Sequence, residues 1–511
     1  MQDNRIFSIK TKTTEPLTLN NDYTLPDYIV DVRKLLHYTA KAMLHNVYIS
    51  GRALMFEGEV IYSAFVLCED NSIKNIIYSD DFEAEIKDID VDENQIYDCR
   101  IDKYTLRLIS PRKLNCRADI TVSIKLNDST ETDSVYKGIG LPEAEYTTEK
   151  RFTTASYVTL YEDVLKKQHG VCNIQLVNSG TDISEIIYTT VNICISERRQ
   201  VDGKLFLRGE GTAQVLYTDS EGRYCKAKST FPFSEILENQ STTDAHICTV
   251  EVSDIKASFN ISNGEKGSIE IDYSYDISDK YYISSSTQIM SDIYSTEYDV
   301  EYTVCNAPVL KLNDIFDGRL TVDDYYDLDV EYDDVKILDC FASLHNCTTS
   351  FDRENGRILI SGDVKFEPVF ATDTVNHISV VKQFKYERSV GLPQNELICD
   401  HNVALISCNA DADKGKLLLT AEIALNAAVL ESCEYEFIKE VEIKSTSQRS
   451  YSPVIIYYPS AEDTLWEIAK RYKCTCNDIM SANRLENESL KDIKVLLLPR
   501  KRSKSVFNAI I

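Results

Sequence analysis

The run D88-I-D-V-D-E-N94 places alternating carboxylates where a calcium-binding loop would begin. A loop of the EF-hand type needs glycine at its sixth position and a bidentate glutamate at its twelfth. This sequence has Glu93 and Cys99 at those two positions. We therefore expect no calcium site here.

The remaining histidine, cysteine and glycine patterns are weaker signals for chemistry. His345 and Cys347 alternate, as two residues on one face of a strand do. Cys474 and Cys476 lack the second ligand pair of a zinc site. The sequence contains no G-x-x-x-x-G-K-[ST] phosphate loop and no H-E-x-x-H motif. We expect a protein that is not an enzyme and that has no cofactor or metal.

Composition and charge exclude several classes of protein. The chain has 511 residues, of which 43% are hydrophobic and 27% charged, as in globular proteins. A net charge of −27 argues against a nucleic-acid-binding surface, which needs clustered lysine and arginine. The N-terminus lacks the apolar core of a signal peptide, and no run of 18 apolar residues predicts a transmembrane segment. Fifteen singly spread cysteines indicate reduced thiols, so we expect a cytoplasmic protein.

A short glycine signature repeats along the chain and indicates repeated structural elements, which would position any functional residue. A signature of two glycines around a basic and apolar run occurs three times, as G51-R-A-L-M-F-E-G58, G203-K-L-F-L-R-G209 and G356-R-I-L-I-S-G362. The second glycines follow one another at intervals of 151 and 153 residues. Two further sets of landmarks keep nearly the same intervals: Phe82, Phe233 and Tyr386, and the strand centres Ile120, Ile271 and Ile423. The signature glycines are expected in hairpin turns or at close strand contacts.

A period of about 150 residues indicates duplicated domains and not a short solenoid repeat. Alternating β-type runs dominate each copy, and the only notable helical spacing lies at 161–167. The predicted fold class is mainly β, with three tandem β-sandwich or barrel-like domains. Polar segments place their boundaries near residues 145, 293 and 450, which gives domains 1–145, 146–293 and 294–450.

The end of the chain has a different pattern. A β-type run at 454–458 precedes apolar residues at i, i+3, i+4 and i+7, which predict one helical face: Leu465, Ile468, Ala469 and Tyr472. Thr464 and Glu467 form a capping box at the start of this helix. A second helix is predicted to begin near Thr475, and a strand from Val495 to Leu498 is ended by Pro499. The predicted order is β-α-α-β within 451–500.

This order, with the pieces D463-T-L-W-E-I-A-x-x-Y472, N477-D-I-M-x-A-N483 and L496-L-L-P499, resembles the LysM domain. The resemblance implies a module that usually binds N-acetylglucosamine-containing glycans between its first strand–helix loop and the loop before its last strand. Glu462 and Ile493 stand where glycines are usual, which alters that groove. The residues expected to bind a partner or a glycan are Glu462, Asp463, Thr464, Leu465, Trp466, Asn483, Arg484 and Leu485.

Two of these residues have an alternative structural interpretation. Trp466, the only tryptophan, either packs under the returning strand or lies partly exposed as an interface anchor. Asn483 either contributes to the partner-binding loops or caps a loop through its side chain. The stretch from Ser460 to Lys504 has a net charge of +3. The basic tail at 501–511 therefore either meets an acidic protein or anionic membrane or is a solvated terminus.

Tandem β-rich copies with this glycine signature, followed by a terminal LysM module, resemble the SPOCS-domain spore coat morphogenetic proteins of spore-forming Clostridia. The resemblance would cover nearly the whole chain. It implies a non-enzymatic scaffold in the mother-cell cytoplasm, at the forespore surface and spore coat. The LysM region would engage a SpoIVA-like coat morphogenetic ATPase, with other coat proteins and self-association as further contacts. The alternatives are a peptidoglycan-binding or glycan-binding protein and a cell-wall enzyme with a targeting module, and the missing export signal counts against both.

Overall fold

The computed structural model describes most of the chain. The described residues are 5–87, 95–137, 148–176, 183–238, 243, 245–260, 267–327, 337–370, 378–413, 415–444, 454–491 and 493–499. The calcium-like run at 88–94 and the tail at 501–511 lie outside them, as do the predicted boundaries near 145 and 450. We refer to the described residues up to 444 as the β body.

The β body consists of twenty strands, and a small module follows it. The strands are β1 (Arg5–Thr13), β2 (Leu17–Thr24), β3 (Val32–Ser50), β4 (Ala53–Cys68), β5 (Ile73–Lys87), β6 (Gln95–Ser110), β7 (Lys113–Glu131), β8 (Val135–Lys137), β9 (Thr148–Gln175), β10 (Ile183–Val201), β11 (Lys204–Asp219), β12 (Tyr224–Glu238), β13 (His246–Asn260), β14 (Ser268–Ser295), β15 (Asp299–Asp327), β16 (Ile337–Asp352), β17 (Arg357–Phe370), β18 (Val380–Ser389), β19 (Leu397–Asp413) and β20 (Lys416–Lys444). The module contains β21 (Val454–Tyr457), α1 (Leu465–Tyr472), α2 (Cys476–Asn483) and β22 (Leu496–Pro499). The predicted mainly β class with a small C-terminal β-α-α-β module is confirmed.

The structure contradicts one local prediction, the helical spacing. Residues 161–167 have helical spacing in the sequence but lie within β9, where they pair with β14. Tertiary pairing with a long neighbouring strand overrides the local periodicity. The predicted boundary near 293 falls within β14, which continues to Ser295 before β15 begins at Asp299.

Three antiparallel sheets of consecutive strands contain the glycine signature: β3–β4–β5, β10–β11–β12 and β16–β17–β18. We call them the hairpin sheets. The first glycine of each signature lies in the hairpin turn with positive φ, at Gly51 (65°), Gly203 (75°) and Gly356 (61°). This conformation favours glycine because it has no Cβ. The turn role predicted for these glycines is confirmed.

The second glycine of each signature lies at a close strand contact. A Cβ at Gly58 would lie 2.3 Å from the Met43 carbonyl oxygen, and one at Gly209 would lie 2.1 Å from the Cys194 carbonyl oxygen. At Gly362 the nearest atom is a ring carbon of Phe384, at 2.8 Å. The predicted close packing is therefore confirmed.

The aromatic landmark of the third copy is corrected by the strand register. Gly58 lies opposite Phe82, and Gly209 lies opposite Phe233. Gly362, however, lies opposite Phe384, whereas Tyr386 lies opposite Ile360. Phe384 and Tyr386 are two residues apart and share a strand face, so sequence spacing alone favoured the wrong aromatic residue.

The other sheets of the β body centre on long strands. Their orders are β1–β7–β2 with β6 beside β7, β13–β14–β9, and β15–β20–β19 with β8 beside β20. Their central strands bury Ile120, Ile271 and Ile423, each at most 1% exposed. Strand β8 pairs in parallel with β20, so the end of the first predicted domain joins a strand of the third.

Side chains from all three predicted domains meet in one buried cluster. The cluster contains two sets of residues at intervals of 151 to 153: Leu36, Ile187 and Leu338, and Phe65, Leu216 and Val369. The Phe65 ring lies 4.9 Å from the Tyr188 ring and 5.1 Å from the Phe341 ring, measured between centroids. The three segments therefore contact one another directly through apolar side chains.

Neither α1 nor α2 has the length or apolar character needed to cross a membrane, among the helices of the described residues.

Candidate functional site

The C-terminal module folds around a small apolar core. Thr464 accepts a hydrogen bond from the Glu467 backbone N–H, and Glu467 accepts one from the Thr464 backbone N–H, which confirms the predicted capping box. Thr475 caps α2 by accepting a hydrogen bond from the Asp478 backbone N–H. The buried core residues include Leu465, Ile468, Ala469, Ile479, Leu496 and Leu498.

The first predicted binding loop uses its carboxylate internally. Asp463 Oδ2 accepts hydrogen bonds from the Ser460 backbone N–H and the Tyr457 hydroxyl, both at 2.8 Å. These bonds, led by the one from the Ser460 backbone, lower the pKa of Asp463. The carboxylate therefore holds the turn between β21 and α1.

The second predicted binding loop uses its amide internally. Asn483 Nδ2 donates to the carbonyl oxygens of Ile479 at 2.8 Å and Leu497 at 2.7 Å. Asn483 Oδ1 accepts from the Leu497 N–H at 2.7 Å. The side chain thus ties α2 to β22, which is the loop-capping alternative considered for this residue.

The other predicted site residues divide between the core and the surface. Leu465 is buried, and Leu485 packs against the same core. Glu462, Thr464 and Arg484 are exposed. Arg484 has φ 54° and ends α2 as a left-handed C-cap. The structure therefore brings Leu465, Trp466 and Leu485 together in the core cluster and leaves Glu462 and Arg484 on the surface.

Trp466 packs against the β body. Its ring centroid lies 5.0 Å from that of Tyr294 in an edge-to-face arrangement, and its Nε1 donates to Asp292 Oδ2 at 2.7 Å. The Arg151 guanidinium lies 5.8 Å from the Trp466 ring centroid. Only 8% of Trp466 is exposed. The structure thus places this residue as an anchor between two parts of the same chain.

Polar contacts complete this attachment. Lys470 Nζ lies 2.5 Å from Asp292 Oδ1, and Lys473 Nζ lies 2.5 Å from Asp299 Oδ1. The Tyr294 hydroxyl donates to the Cys474 carbonyl oxygen at 2.9 Å. Burial opposes ionisation of Asp292, but its hydrogen bonds to Lys470 and Trp466 lower the pKa of this carboxyl overall. We call Asp292, Tyr294 and Asp299 the seat of the module.

Sequence reasoning did not identify the seat. Asp292 and Tyr294 belong to S291-D-I-Y-S-T-E297, which was interpreted as a polar domain boundary. Asp292 lies 174 residues before Trp466 and 178 before Lys470, so no local pattern links them. The alternation of Ile293 with Asp292 and Tyr294 in the sequence is typical of a strand, but it does not indicate a contact with the C-terminal module.

The opposite side of the module exposes an apolar surface. Ile455, Tyr457, Leu496 and Leu498 of the two-stranded sheet face the helices. The alternate residues face outward, between 42% and 71% exposed: Val454, Ile456, Tyr458, Val495 and Leu497. Ile456 and Leu497 lie directly opposite each other across the strand pair. We call these five residues the outer sheet face.

Within the described residues, no group of three or more histidine, cysteine, aspartate or glutamate side chains is arranged to hold a metal ion. The buried His246 ring lies between the Asp279 carboxylate, 3.0 Å from Nδ1, and the Thr243 carbonyl oxygen, 2.8 Å from Nε2. Each ring nitrogen thus has an oxygen partner within the chain, so His246 is held by structural contacts. All fifteen cysteines are free thiols in this structure.

Comparison with known protein families identifies two segments of this chain. Residues 182–262 match the family model described as SipL, SPOCS domain, and residues 460–495 match the LysM domain. The first match spans β10 to β13, and the second spans α1 and α2. No curated protein and no solved structure matches the chain. The resemblance to a SPOCS protein with a terminal LysM domain is confirmed by these two matches, which associate the chain with sporulation and with LysM-type binding.

Proposed function

We propose that this chain is a non-enzymatic scaffold of spore coat assembly, which docks through its LysM-like module onto a coat-assembling ATPase at the forespore surface. The SPOCS and LysM matches support the sporulation part of this proposal. The outer sheet face supports the docking part of the proposal, because it exposes five apolar side chains on the side of the module opposite its helices. Clustered exposed apolar residues are typical of protein-interaction surfaces.

The polar groups of the two sugar loops favour a protein partner over a glycan. Sugar recognition needs side-chain hydrogen-bonding groups that are available to the ligand. Asp463 and Asn483, however, use theirs to hold the turns of the module. The helix α1 surface is also occupied, because Trp466 and Lys470 contact the seat. The outer sheet face, by contrast, is exposed to solvent.

In this proposal the β body supplies length and lateral contacts as three tandem copies of one unit, divided near residues 145, 293 and 450. The recurrence of the hairpin sheets and of their turn glycines at nearly constant intervals supports the duplication. The shared buried cluster around Phe65 and Leu216 further supports a body in which the copies stiffen one another.

The docking proposal is tested by co-purification of the full chain with the coat-assembling ATPase of the same cell. Ile456→Glu places a charge in the outer sheet face and is expected to weaken binding by about tenfold or more, because it buries an unpaired charge at the interface. Ile77→Glu is the matched control, since Ile77 is 63% exposed but lies on β5 of the body. Equal binding of both variants would contradict the proposal.

A second candidate function is glycan binding, which the LysM match favours. Glu462 and Arg484 have exposed side chains in the two loops where LysM domains hold sugar. Sedimentation of the full chain with insoluble peptidoglycan separates the two functions. Retention that is abolished by Arg484→Ala and unaffected by Ile456→Glu would favour glycan binding. The scaffold proposal predicts that the chain stays in the supernatant.

A further inference from the structure

The three hairpin sheets differ in charge at equivalent positions of their outer faces. In the second sheet, Arg199, Phe206 and Ile236 lie side by side across β10, β11 and β12. Arg208 lies in the next row, between Glu197 and Ser234. Phe206 and Ile236 are exposed, and a shallow cavity of about 360 Å³ opens between Phe206 and the two arginines. We call this surface the basic face.

The first hairpin sheet has carboxylates in the equivalent rows. Tyr48, Met55 and Glu85 lie side by side across β3, β4 and β5. The next row contains Asn46, Glu57 and Glu83. Tyr48 is 40% exposed, and Glu83 and Glu85 are exposed beside it. This surface, which we call the acidic face, therefore combines an apolar centre with three carboxylates.

The third hairpin sheet has no such imbalance. Its equivalent rows contain Leu359 and Glu387, with Lys385 in the neighbouring row. Glu387 lies 3.0 Å from Arg357 and 2.6 Å from Lys385. Its charges are therefore compensated within the sheet, which makes this sheet an internal reference for the other two.

The charges of the basic and acidic faces are only partly compensated within the molecule. No described residue forms an ion pair with Arg199, and Arg208 reaches Glu197 only at 3.8 Å. Glu85 lies 2.8 Å from Lys87, whereas Glu83 has no ion pair among the described residues. Exposed charges of this kind contribute little within one molecule but select a partner of opposite charge.

We infer that the basic face of one molecule binds the acidic face of a second copy of the same chain. The basic face has the exposed apolar residues Phe206 and Ile236, and the acidic face has the exposed Tyr48 beside Met55. Charged residues of opposite sign surround the two groups, as in complementary protein interfaces. A chain with a net charge of −27 repels its copies in general, so association depends on a local basic surface such as this one. This inference is independent of the docking function, because neither face belongs to the C-terminal module.

The proposed contact is heterologous, since it joins two different sheets. Each molecule uses its basic face toward one neighbour and its acidic face toward another. Such contacts continue into open chains or close into rings, depending on the rotation between neighbours. Repeated weak contacts of this type would extend an assembly laterally while the C-terminal modules stay available.

The test is sedimentation velocity of the full chain over a wide range of protein concentration and salt. Self-association is expected to increase with concentration and to fall as salt screens the charges. Arg199→Glu with Arg208→Glu removes the basic face, and Glu83→Lys with Glu85→Lys removes the acidic face. Each double variant is expected to associate about tenfold more weakly or worse, because like charges then meet. Lys385→Glu in the third sheet is the control and should associate as the wild type does.

A mixture of the two double variants gives the decisive result. The first variant keeps its acidic face and the second keeps its basic face, so these two faces can bind each other. The two reversed faces are also opposite in charge, so a second contact can form between the same variants. The mixture is therefore expected to recover the association that each variant alone has lost, which also shows that both variants are folded. A wild-type chain that stays monomeric at all concentrations would overturn the inference. So would double variants that associate normally, or a mixture that associates no better than either variant alone.

Discussion

The contact between Trp466 and Asp292 predicts how firmly the module is attached to the β body. Asp292→Asn keeps the size of the side chain but replaces one carboxylate oxygen by an amide group that donates hydrogen bonds. That group then opposes Lys470 Nζ or Trp466 Nε1, both of which are donors. Hydrogen bonds to charged groups contribute about 1.5 to 3 kcal/mol each, so loss of one should weaken attachment by about 2 kcal/mol.

The assay uses the fluorescence of Trp466, the only tryptophan of the chain. In the wild type, Trp466 is shielded by the seat, and its emission should change only when urea detaches or unfolds the module. In Asp292→Asn the fluorescence transition should shift to lower urea and precede the loss of β structure measured by circular dichroism. The pH dependence has a defined sign: because the pKa of Asp292 is lowered, its stabilising effect is present at neutral pH and is lost as pH falls through the lowered value.

The control is Asp314→Asn, which removes a carboxylate of similar exposure on β15, 3.4 Å from Arg388 and outside the seat. This variant should leave the fluorescence transition unchanged. If Asp292→Asn also left the fluorescence transition unchanged, attachment would not depend on the contacts that we assign to the seat.

Three further predictions concern the β body. Gly209→Ala should lower the free energy of unfolding, measured by urea titration, by about 3 kcal/mol or more, because its Cβ would meet the Cys194 carbonyl. Gly391→Ala is the control and should be nearly neutral, because the space around Gly391 is open. Because the Phe65 ring joins all three segments, the wild-type β body should unfold in a single thermal transition, and separate transitions would contradict this. Phe65→Ala should lower the free energy of unfolding by about 3 to 5 kcal/mol. Burial opposes ionisation of Glu367, but hydrogen bonds from His37 and Lys365 lower its pKa to about 2. Its stabilising effect should therefore be present above pH 4.5 and be lost as the pH falls toward 2. Glu367→Gln should remove this part of the pH dependence of the free energy of unfolding.

Local patterns predicted the module well. The capping box at Thr464 and the spacing from Leu465 to Tyr472 depend on residues within two helical turns, so the sequence contains the whole signal. The turn glycines Gly51, Gly203 and Gly356 were recognisable for a similar reason, because a hairpin turn with positive φ favours glycine wherever it occurs.

Contacts between distant segments were not predictable from such patterns. The rings of Phe65, Tyr188 and Phe341 contact one another although these residues lie more than 100 positions apart in the sequence. The local sequence around each of them predicts only an ordinary strand. The helical spacing at 161–167 was misleading, because pairing along β14 determines the structure there. The site prediction failed to find the seat for the same reason.

The most direct test of the proposed docking is hydrogen exchange of the full chain, measured by mass spectrometry with and without the coat-assembling ATPase. Docking through the outer sheet face predicts slower exchange in 454–458 and 493–499 on binding, with little change in the loop at 460–464. Protection confined to that loop, or no protection anywhere in the module, would contradict it.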